Sequence, residues 1–232
     1  MSGRLYGLGL GPGDPELVTL KALRLLRAAP VVAYPAPEDG ASFARAIVAR
    51  WLSPAQREIA IRVPMEAQRF SAETVYDDAA RRIGQSLDGG DDVAVLCQGD
   101  PFFYGSFMYL FARLAAVYPV TVVPGVSSLT ACAAAAAWPL AAREAALLVL
   151  PAPLPDDELA RRMAAAETIA LIKVGRHFAR LRALLDRLEL AGDARYIERA
   201  SLTSERVLPL DTVDAASVPY FSMILLRRPV RQ

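Results

Sequence analysis

The chain carries, between residues 7 and 17, the sequence Gly7-Leu8-Gly9-Leu10-Gly11-Pro12-Gly13-Asp14-Pro15-Glu16-Leu17. A short apolar strand over residues 4–8 precedes most of these glycines, and leucines at helical spacing follow them. Asp14 is predicted to be the N-cap of a helix over Pro15–Ala28. The stretch therefore predicts a strand, a helix, and between them a glycine-rich bend whose backbone is open to a ligand.

This bend does not match either of the common phosphate-binding fingerprints. In the pattern Gly-x-Gly-x-x-Gly the third glycine falls on Pro12 in one register and on Asp14 in the other. A P-loop is also excluded, because no Gly-Lys-Ser/Thr follows. Asp14 adds negative charge where a phosphate would need the positive end of a helix. Two interpretations remain at this point, an ordinary turn without a ligand and a site for a ligand without a phosphate.

The composition indicates a folded protein with a large core. The chain has 232 residues, of which 54% are hydrophobic, and its net charge of +1 gives no reason to expect a nucleic acid or a membrane as partner. We expect a cytoplasmic protein, since no signal peptide or membrane span is recognised and Cys97 and Cys132 lie in apolar surroundings. His177 is the only histidine, so no metal site is predicted.

Almost all basic residues of the chain are arginine. Of the 26 lysines and arginines, all except Lys21 and Lys173 are arginine. A GC-rich genome would produce this bias, and so would a protein that binds carboxylates through guanidinium groups. The two interpretations do not exclude each other.

Apolar strands alternate with amphipathic helices in the first half of the chain, which predicts a mainly parallel sheet covered on both faces. The strands are expected at Leu5, Val31–Tyr34, Ile59–Val63, Val93–Cys97 and Val120–Val123. The helices are expected at Pro15–Ala28, Ser42–Leu52 and Ser71–Leu87 (capped by Ser42 and Ser71), and Ser106–Val117.

The pattern changes near Pro124, which predicts an N-terminal α/β domain over residues 1–123 and a C-terminal α/β domain over residues 124–232. The late strands come in pairs, which favours a mixed sheet in the second domain. Its strands are expected at Ala146–Leu150, Thr168–Val174, Ala194–Arg199, Arg206–Leu210 and Phe221–Leu226, and its helices at Leu129–Ala137, Asp156–Ala166 and His177–Leu190.

Glycine-containing loops follow several of these strands, where α/β proteins bind their ligands. Besides the first bend they are Cys97–Ser106, Val123–Ser128 and Lys173–His177. Such loops offer backbone groups, small hydroxyls and apolar walls. No nucleophile with a matching base stands out in the sequence, which favours a cofactor that carries its own reactivity.

These loops, in this order, resemble those of the tetrapyrrole methylases, and the similarity extends over essentially the whole chain. The resemblance rests on Gly9–Asp14, Gly99-Asp100-Pro101, residues 124–128 and Val174-Gly175. It implies the class III S-adenosylmethionine (SAM) methyltransferase fold, with two α/β domains, a cofactor trough between them, and usually a homodimer. It also implies which residues line the SAM pocket: Pro12, Gln98, Gly99, Asp100, Phe103, Ser127, Ser128, Val174 and Ala200. Two of these depart from the family pattern, because members often have Glu at the position of Gln98 and Gly at that of Ala200.

Within the family, the runs Tyr6–Ala22, Gly99–Phe111 and Pro219–Ile224 resemble the members that methylate C20 of precorrin-2. The reaction so implied transfers a methyl group from SAM to this tetrapyrrole and leaves S-adenosylhomocysteine (SAH). The substrate carries several carboxylates, and candidates to bind them are Arg45, Arg176, His177 and Arg199. No catalytic residue is assigned, because Asp100, His177 and water all remain as acceptors for the proton that leaves C20.

Three other functions remain open. The same motifs would serve C20 methylation of the cobalt-containing substrate, cobalt-factor II. A nicotinamide-dependent oxidoreductase is disfavoured by Pro12 and Asp14. A binding module without catalytic activity is the third alternative.

Overall fold

The computed structural model describes residues 1–63 and 72–228. The chain divides into two compact units, Met1–Ser127 and Ser128–Gln232. The division falls a few residues after the boundary that the sequence predicts at Pro124.

The first unit contains a five-stranded parallel sheet in the order β3-β2-β4-β1-β5. Its strands are β1 (Leu5–Gly9), β2 (Val31–Pro37), β3 (Arg57–Val63), β4 (Val93–Cys97) and β5 (Val120–Val123). The prediction of a parallel sheet is confirmed. Strand β4, at the centre of the sheet, and its neighbour β1 are buried almost throughout, as expected of strands covered on both faces.

Helices cover both faces of this sheet. They are α1 (Leu20–Ala28), α2 (Phe43–Val48), α3 (Ala72–Asp88) and α4 (Phe107–Leu114). One apolar cluster joins the sheet to α3 and α4, and a second joins it to α1 and α2. Ser42 caps α2 as predicted, since its Oγ accepts a hydrogen bond from the backbone N–H of Arg45 at 3.2 Å. The predicted cap Ser71 lies outside the described residues.

The continuous helix predicted over Pro15–Ala28 is wrong. Asp14 caps only a single 3₁₀ turn, Pro15–Leu17, through a bond of 2.8 Å from the N–H of Glu16. The α-helix begins at Leu20, where Thr19 supplies a second N-cap to the N–H of Ala22 at 3.1 Å. The chain therefore turns twice between β1 and α1.

The second unit contains a five-stranded mixed sheet, as predicted, and its strand order is β6-β7-β10-β8-β9. Its strands are β6 (Leu147–Pro151), β7 (Thr168–Ile172), β8 (Ala194–Glu198), β9 (Arg206–Pro209) and β10 (Ser222–Arg227). Its helices are α5 (Ser128–Ala135), α6 (Asp156–Met163) and α7 (Phe178–Arg187). Strands β6 and β7 are parallel, and β10 is antiparallel to both of its neighbours, β7 and β8. The carboxyl ends of β7 and β8 therefore lie at the same edge, on either side of the start of β10.

Candidate functional site

In the first unit, the loops after β1 and β4 are hydrogen-bonded to each other beyond the ends of their strands. The N–H of Gly99 donates to the carbonyl of Gly11 at 2.7 Å, and the N–H of Gly11 donates back at 3.3 Å. The N–H of Leu10 also donates to the carbonyl of Cys97 at 2.9 Å. The two loops thus form one continuous backbone surface at the carboxyl edge of the sheet.

The loop after β5 joins them through a very close backbone approach. A Cβ added to Gly125 would lie 2.1 Å from the carbonyl oxygen of Gly99 and 2.8 Å from the Cα of Gly9. A Cβ added to Gly9 would meet the backbone N of Gly125 at 2.4 Å. Glycine is therefore required at both positions, because no side chain fits where these backbones meet.

Asp100 stabilises the contact between these loops through both oxygens of its carboxylate. Its Oδ2 accepts from the N–H of Gly125 at 3.0 Å, and its Oδ1 accepts from the N–H of Phe102 at 2.9 Å. One side chain thereby ties the loop after β4 to the loop after β5. Hydrogen bonds to a carboxylate are among the stronger ones in proteins, so Asp100 has a clear structural role.

The other residues predicted in the first unit's part of the SAM pocket lie in these loops. Pro12 is buried in the bend after β1, Gln98 is half-buried at the end of β4, and Phe103 is exposed. Ser127 is half-buried at the end of the unit. In the second unit, exposed Ser128 is the first residue of α5.

In the second unit, the remaining two predicted pocket residues follow β7 and β8. Val174 is fully buried and Ala200 almost fully. The start of β10 holds both loops: Ser222 Oγ accepts from the N–H of Gly175 at 3.3 Å, and the carbonyl of Phe221 accepts from the N–H of Arg199 at 2.9 Å. The structure therefore brings the loops after β7 and β8 to one edge.

The backbone at this edge is strained at three positions that are not glycine. Lys173, Arg199 and Ser201 have φ values of +59°, +51° and +72°. Such conformations are uncommon for residues with a Cβ, and they concentrate where function imposes a geometry on the chain. This edge of the second unit is therefore a candidate site on conformational grounds alone.

Two of the predicted substrate-binding residues, Arg176 and His177, lie together in the 3₁₀ turn Gly175–His177. Arg176 is exposed, and its Nε–H donates to Nε2 of His177 at 3.4 Å. Burial, together with the positive charges of Arg176 and Arg180, lowers the pKa of His177 below its usual value. The imidazole is consequently neutral at pH 7.

A buried carboxylate that sequence reasoning missed lies beside Arg199. Glu198, the last residue of β8, is only 4% exposed. Its Oε2 accepts from the Tyr196 hydroxyl at 2.6 Å, and its Oε1 lies 3.4 Å from Arg206 and 3.5 Å from Arg199. Burial and the neighbouring carboxylate raise the pKa of Tyr196. The signal in the sequence was a glutamate that directly follows Tyr196 and Ile197 at the end of a predicted strand.

The structure does not bring Arg45 to any of these loops. Its guanidinium is held by Glu58 through two bonds of 2.6 and 2.7 Å, and the Tyr34 hydroxyl donates to the same carboxylate at 2.6 Å. Glu58 pairs with Val32, near the amino ends of β2 and β3 and thus opposite the ligand-binding edge. Arg45 is therefore better explained as a structural ion pair.

The first unit offers mainly backbone groups and small or apolar side chains at its carboxyl edge. The corresponding edge of the second unit also carries charged side chains, among them Arg176, Glu198 and Arg199. Within the described ranges, no group of three or more histidines, cysteines or acidic residues is arranged to hold a metal. No helix in the same ranges is both long enough and apolar enough to cross a membrane. The edge of the first unit suits an organic ligand without a phosphate that is bound largely by backbone atoms.

The fold places the chain among methyltransferases of known structure. A cobalt precorrin-4 methyltransferase is similar with a TM-score of 0.74 and 23% identity, over 97% of this chain and 94% of that one. The uroporphyrin-III C-methyltransferase of Thermus thermophilus, solved with S-adenosyl homocysteine, gives a TM-score of 0.69 and 29% identity, over 96% and 97% of the two chains. The two α/β units of this chain, one with a parallel and one with a mixed sheet, therefore have the fold of these methyltransferases.

The sequence comparisons name the family. The profile of the Tetrapyrrole (Corrin/Porphyrin) Methylases matches residues 4–215, and the chain belongs to this family. It is 36% identical to a precorrin-2 C(20)-methyltransferase of Sinorhizobium, over 97% of this chain and 95% of that protein. It is 31% identical to the cobalt-precorrin-2 C(20)-methyltransferase of Salmonella typhimurium, over 98% of both.

A further relative is longer than this chain. The cobalamin biosynthesis protein CobIJ of Mycobacterium tuberculosis is 45% identical over 97% of this chain, which spans only 46% of that protein. The chain thus covers about half the length of this relative.

Proposed function

We propose that this protein transfers a methyl group from SAM to C20 of precorrin-2, in the biosynthesis of cobalamin. The observation that carries the proposal is the set of strand-end loops, which offers backbone contacts without a phosphate site. The full-length similarity to C20-methyltransferases supports the choice of substrate and carbon. The test is to incubate the purified protein with SAM and precorrin-2 and to determine the mass of the product and the position of its new methyl group.

The residues at both carboxyl edges fit SAM as the methyl donor. A Cβ added to Gly99 would meet no atom within 4 Å, so the backbone there faces open space. We propose that Pro12, Gln98, Gly99, Asp100, Phe103 and Ser127 of the first unit, and Ser128, Val174 and Ala200 of the second, contact SAM. Most would do so through backbone atoms, which the hydrogen bonds of Asp100 and Ser222 hold in place.

When bound, SAM would supply a methyl group on a positively charged sulfur, and the carbon that accepts it belongs to the tetrapyrrole. The protein's own contribution is to align the two molecules and to exclude water. Pro12, Val174 and Ala200 are apolar and buried, so their side chains add no polar group to the loops. An apolar site favours a step in which charge is dispersed, so no nucleophile or general-base pair is needed for methyl transfer itself.

No catalytic residue is proposed for removal of the proton from C20. Each carboxylate oxygen of Asp100 accepts one backbone hydrogen bond, and a ring nitrogen of neutral His177 accepts from Arg176 at 3.4 Å. These bonds exclude neither residue, because a carboxylate oxygen has a second lone pair and the bond to His177 is long. The acceptor therefore stays unassigned among Asp100, His177 and water.

We propose that Arg176 and Arg199 bind carboxylates of the substrate. Arg176 is exposed on the turn after β7, and the side chain of Arg199 is 41% exposed beside the strained end of β8. We expect Arg176→Ala to raise the KM for the tetrapyrrole about tenfold, while the KM for SAM changes less than twofold, because a charge-assisted hydrogen bond is lost only to the substrate. Unchanged kinetics would remove Arg176 from the substrate site.

The cobalt-containing substrate is a second candidate, since the Salmonella relative acts on cobalt-precorrin-2 by name. Parallel assays with metal-free and cobalt-containing substrate decide between the two, because kcat/KM is expected to be higher for the physiological form. We also propose that the protein is a cytoplasmic homodimer, and light scattering of the purified protein tests its oligomeric state.

A further inference from the structure

Three consecutive aromatic residues are exposed in the loop after β4. Phe102, Phe103 and Tyr104 are 46%, 36% and 44% accessible to solvent. On α4, Phe111 is 36% exposed and its ring contacts that of Phe102. Contiguous exposed apolar side chains are uncommon on a folded protein and usually mark a surface that binds something. We call Phe102, Phe103, Tyr104 and Phe111 the aromatic platform.

The platform is held rigidly. Asp100 Oδ1 accepts from the N–H of Phe102 at 2.9 Å, and Tyr104 has a φ of +56°, which is unfavourable for a bulky residue. The rings support one another edge to face: Phe102 packs on Phe111 with centroids 5.0 Å apart, and Phe103 on Tyr104 with centroids 5.2 Å apart. The rings are therefore exposed in a fixed arrangement, and ordering them on binding would cost little entropy.

The platform carries no charge. The sequence from Pro101 to Ala112 contains no acidic or basic residue. The one charged side chain of α4, Arg113, donates to Asp77 at 2.6 Å and to two backbone carbonyls. An uncharged aromatic surface suits the flat face of a ring system and offers nothing to a carboxylate.

We propose that Phe102 and Tyr104 bind the face of the tetrapyrrole macrocycle, while arginines elsewhere bind its carboxylates. The inference deepens the proposed function and rests on it. Continuity supports it, because the platform belongs to the loop that begins with Gly99 and Asp100, both proposed to contact SAM. A macrocycle stacked on Phe102 and Tyr104 would therefore lie next to the methyl donor. A second copy of the chain is the alternative occupant, and the test separates the two.

The test uses Phe102→Leu and Tyr104→Leu, which keep an apolar side chain but remove the flat ring. We expect each to raise the KM for the tetrapyrrole about tenfold, in line with the loss of one aromatic stacking partner. The KM for SAM and the kcat at saturating tetrapyrrole should change less than twofold. Tyr104→Phe, which restores the ring, should restore the wild-type KM. The control is Val117→Ser, which alters another exposed apolar residue (69% exposed) just past the end of α4.

Two further measurements keep the proposal decidable. Thermal unfolding shows whether each variant folds, and light scattering shows whether its oligomeric state changes. A wild-type KM in both leucine variants would overturn the proposal, and so would a change of oligomeric state that accounts for the altered kinetics.

If the wild-type protein methylates no tetrapyrrole, the proposed function fails by itself. Equilibrium binding of uroporphyrin, followed by its fluorescence, then still tests the platform: equal affinity in wild type and variants, or no binding at all, would refute it.

Discussion

Gly125→Ala is the change that tests the loop cluster of the first unit most severely. The new Cβ would lie 2.1 Å from the carbonyl oxygen of Gly99, whereas ordinary contacts begin near 3.4 Å. The loops after β4 and β5 must therefore separate by about 1 Å, since the atoms of Gly99 and Gly9 that the Cβ would meet are all backbone and cannot rotate away. The same movement would stretch the 3.0 Å bond between Asp100 and the N–H of Gly125.

The expected effects follow from this displacement. Overpacking of this kind costs about 2 kcal/mol of unfolding free energy, which for a chain of this size lowers Tm by roughly 4–8 °C. A misplacement of about 1 Å at reacting groups can reduce catalysis on the order of 100-fold. We therefore expect weaker SAH binding by titration calorimetry and a large loss of kcat/KM, in a protein that still folds.

Gly192→Ala is the matched control. A Cβ at Gly192 would meet no atom within 4 Å, so the same chemical change should leave Tm and the Kd for SAH within experimental error. If Gly125→Ala bound SAH as tightly as the wild type and retained its kcat/KM, the close backbone approach at Gly125 would not be required for the site.

Two other substitutions probe the roles assigned above. Asp100→Ala removes two charge-assisted hydrogen bonds. We therefore expect a lower Tm by thermal unfolding and an affinity for SAH reduced about tenfold by calorimetry. An unchanged affinity would show that the carboxylate does not shape the site. Arg45→Met tests the ion pair at the opposite end of the sheet. Arg45 holds the pKa of Glu58 at about 2, below its ordinary 4.5. The stabilisation is therefore complete above pH 4.5 and is lost as the pH falls toward 2. The difference in Tm between wild type and variant should shrink over that interval, while the KM for the tetrapyrrole stays unchanged; a raised KM would return Arg45 to the substrate site.

The sequence predicts most of the fold because the strands are dense in apolar and β-branched residues. Val93–Cys97 and Val120–Val123 have the predicted bounds, since a hydrophobic run flanked on both sides by polar residues or by proline leaves little ambiguity. The helix predicted over Pro15–Ala28 is longer than the observed α1. Two N-cap residues, Asp14 and Thr19, follow each other within a few residues, and the prediction starts the helix at the first of them. Local signals of this kind do not say which cap begins the longer helix.

The sequence predicts which loops form the candidate site, but it does not predict how these loops contact one another. Glycines at strand ends indicate the ligand-binding edge of an α/β sheet. Two contacts join segments that are far apart in the sequence: the backbone pairing of Gly11 with Gly99, and the hydrogen bond from the N–H of Gly125 to Asp100. No local sequence pattern encodes either contact. For the same reason, nothing in the sequence distinguished Arg45, which is bound to Glu58, from an arginine near the loops.

The proposed activity is tested directly with labelled SAM. The protein is mixed with precorrin-2 and SAM labelled with ¹³C in its methyl group, and the product is examined by mass spectrometry and NMR. We expect a tetrapyrrole that has gained one labelled methyl group at C20, together with one equivalent of SAH. A labelled methyl group at another carbon would contradict the proposed C20 specificity, and the absence of any methylated product from metal-free or cobalt-containing substrate would contradict the proposed activity.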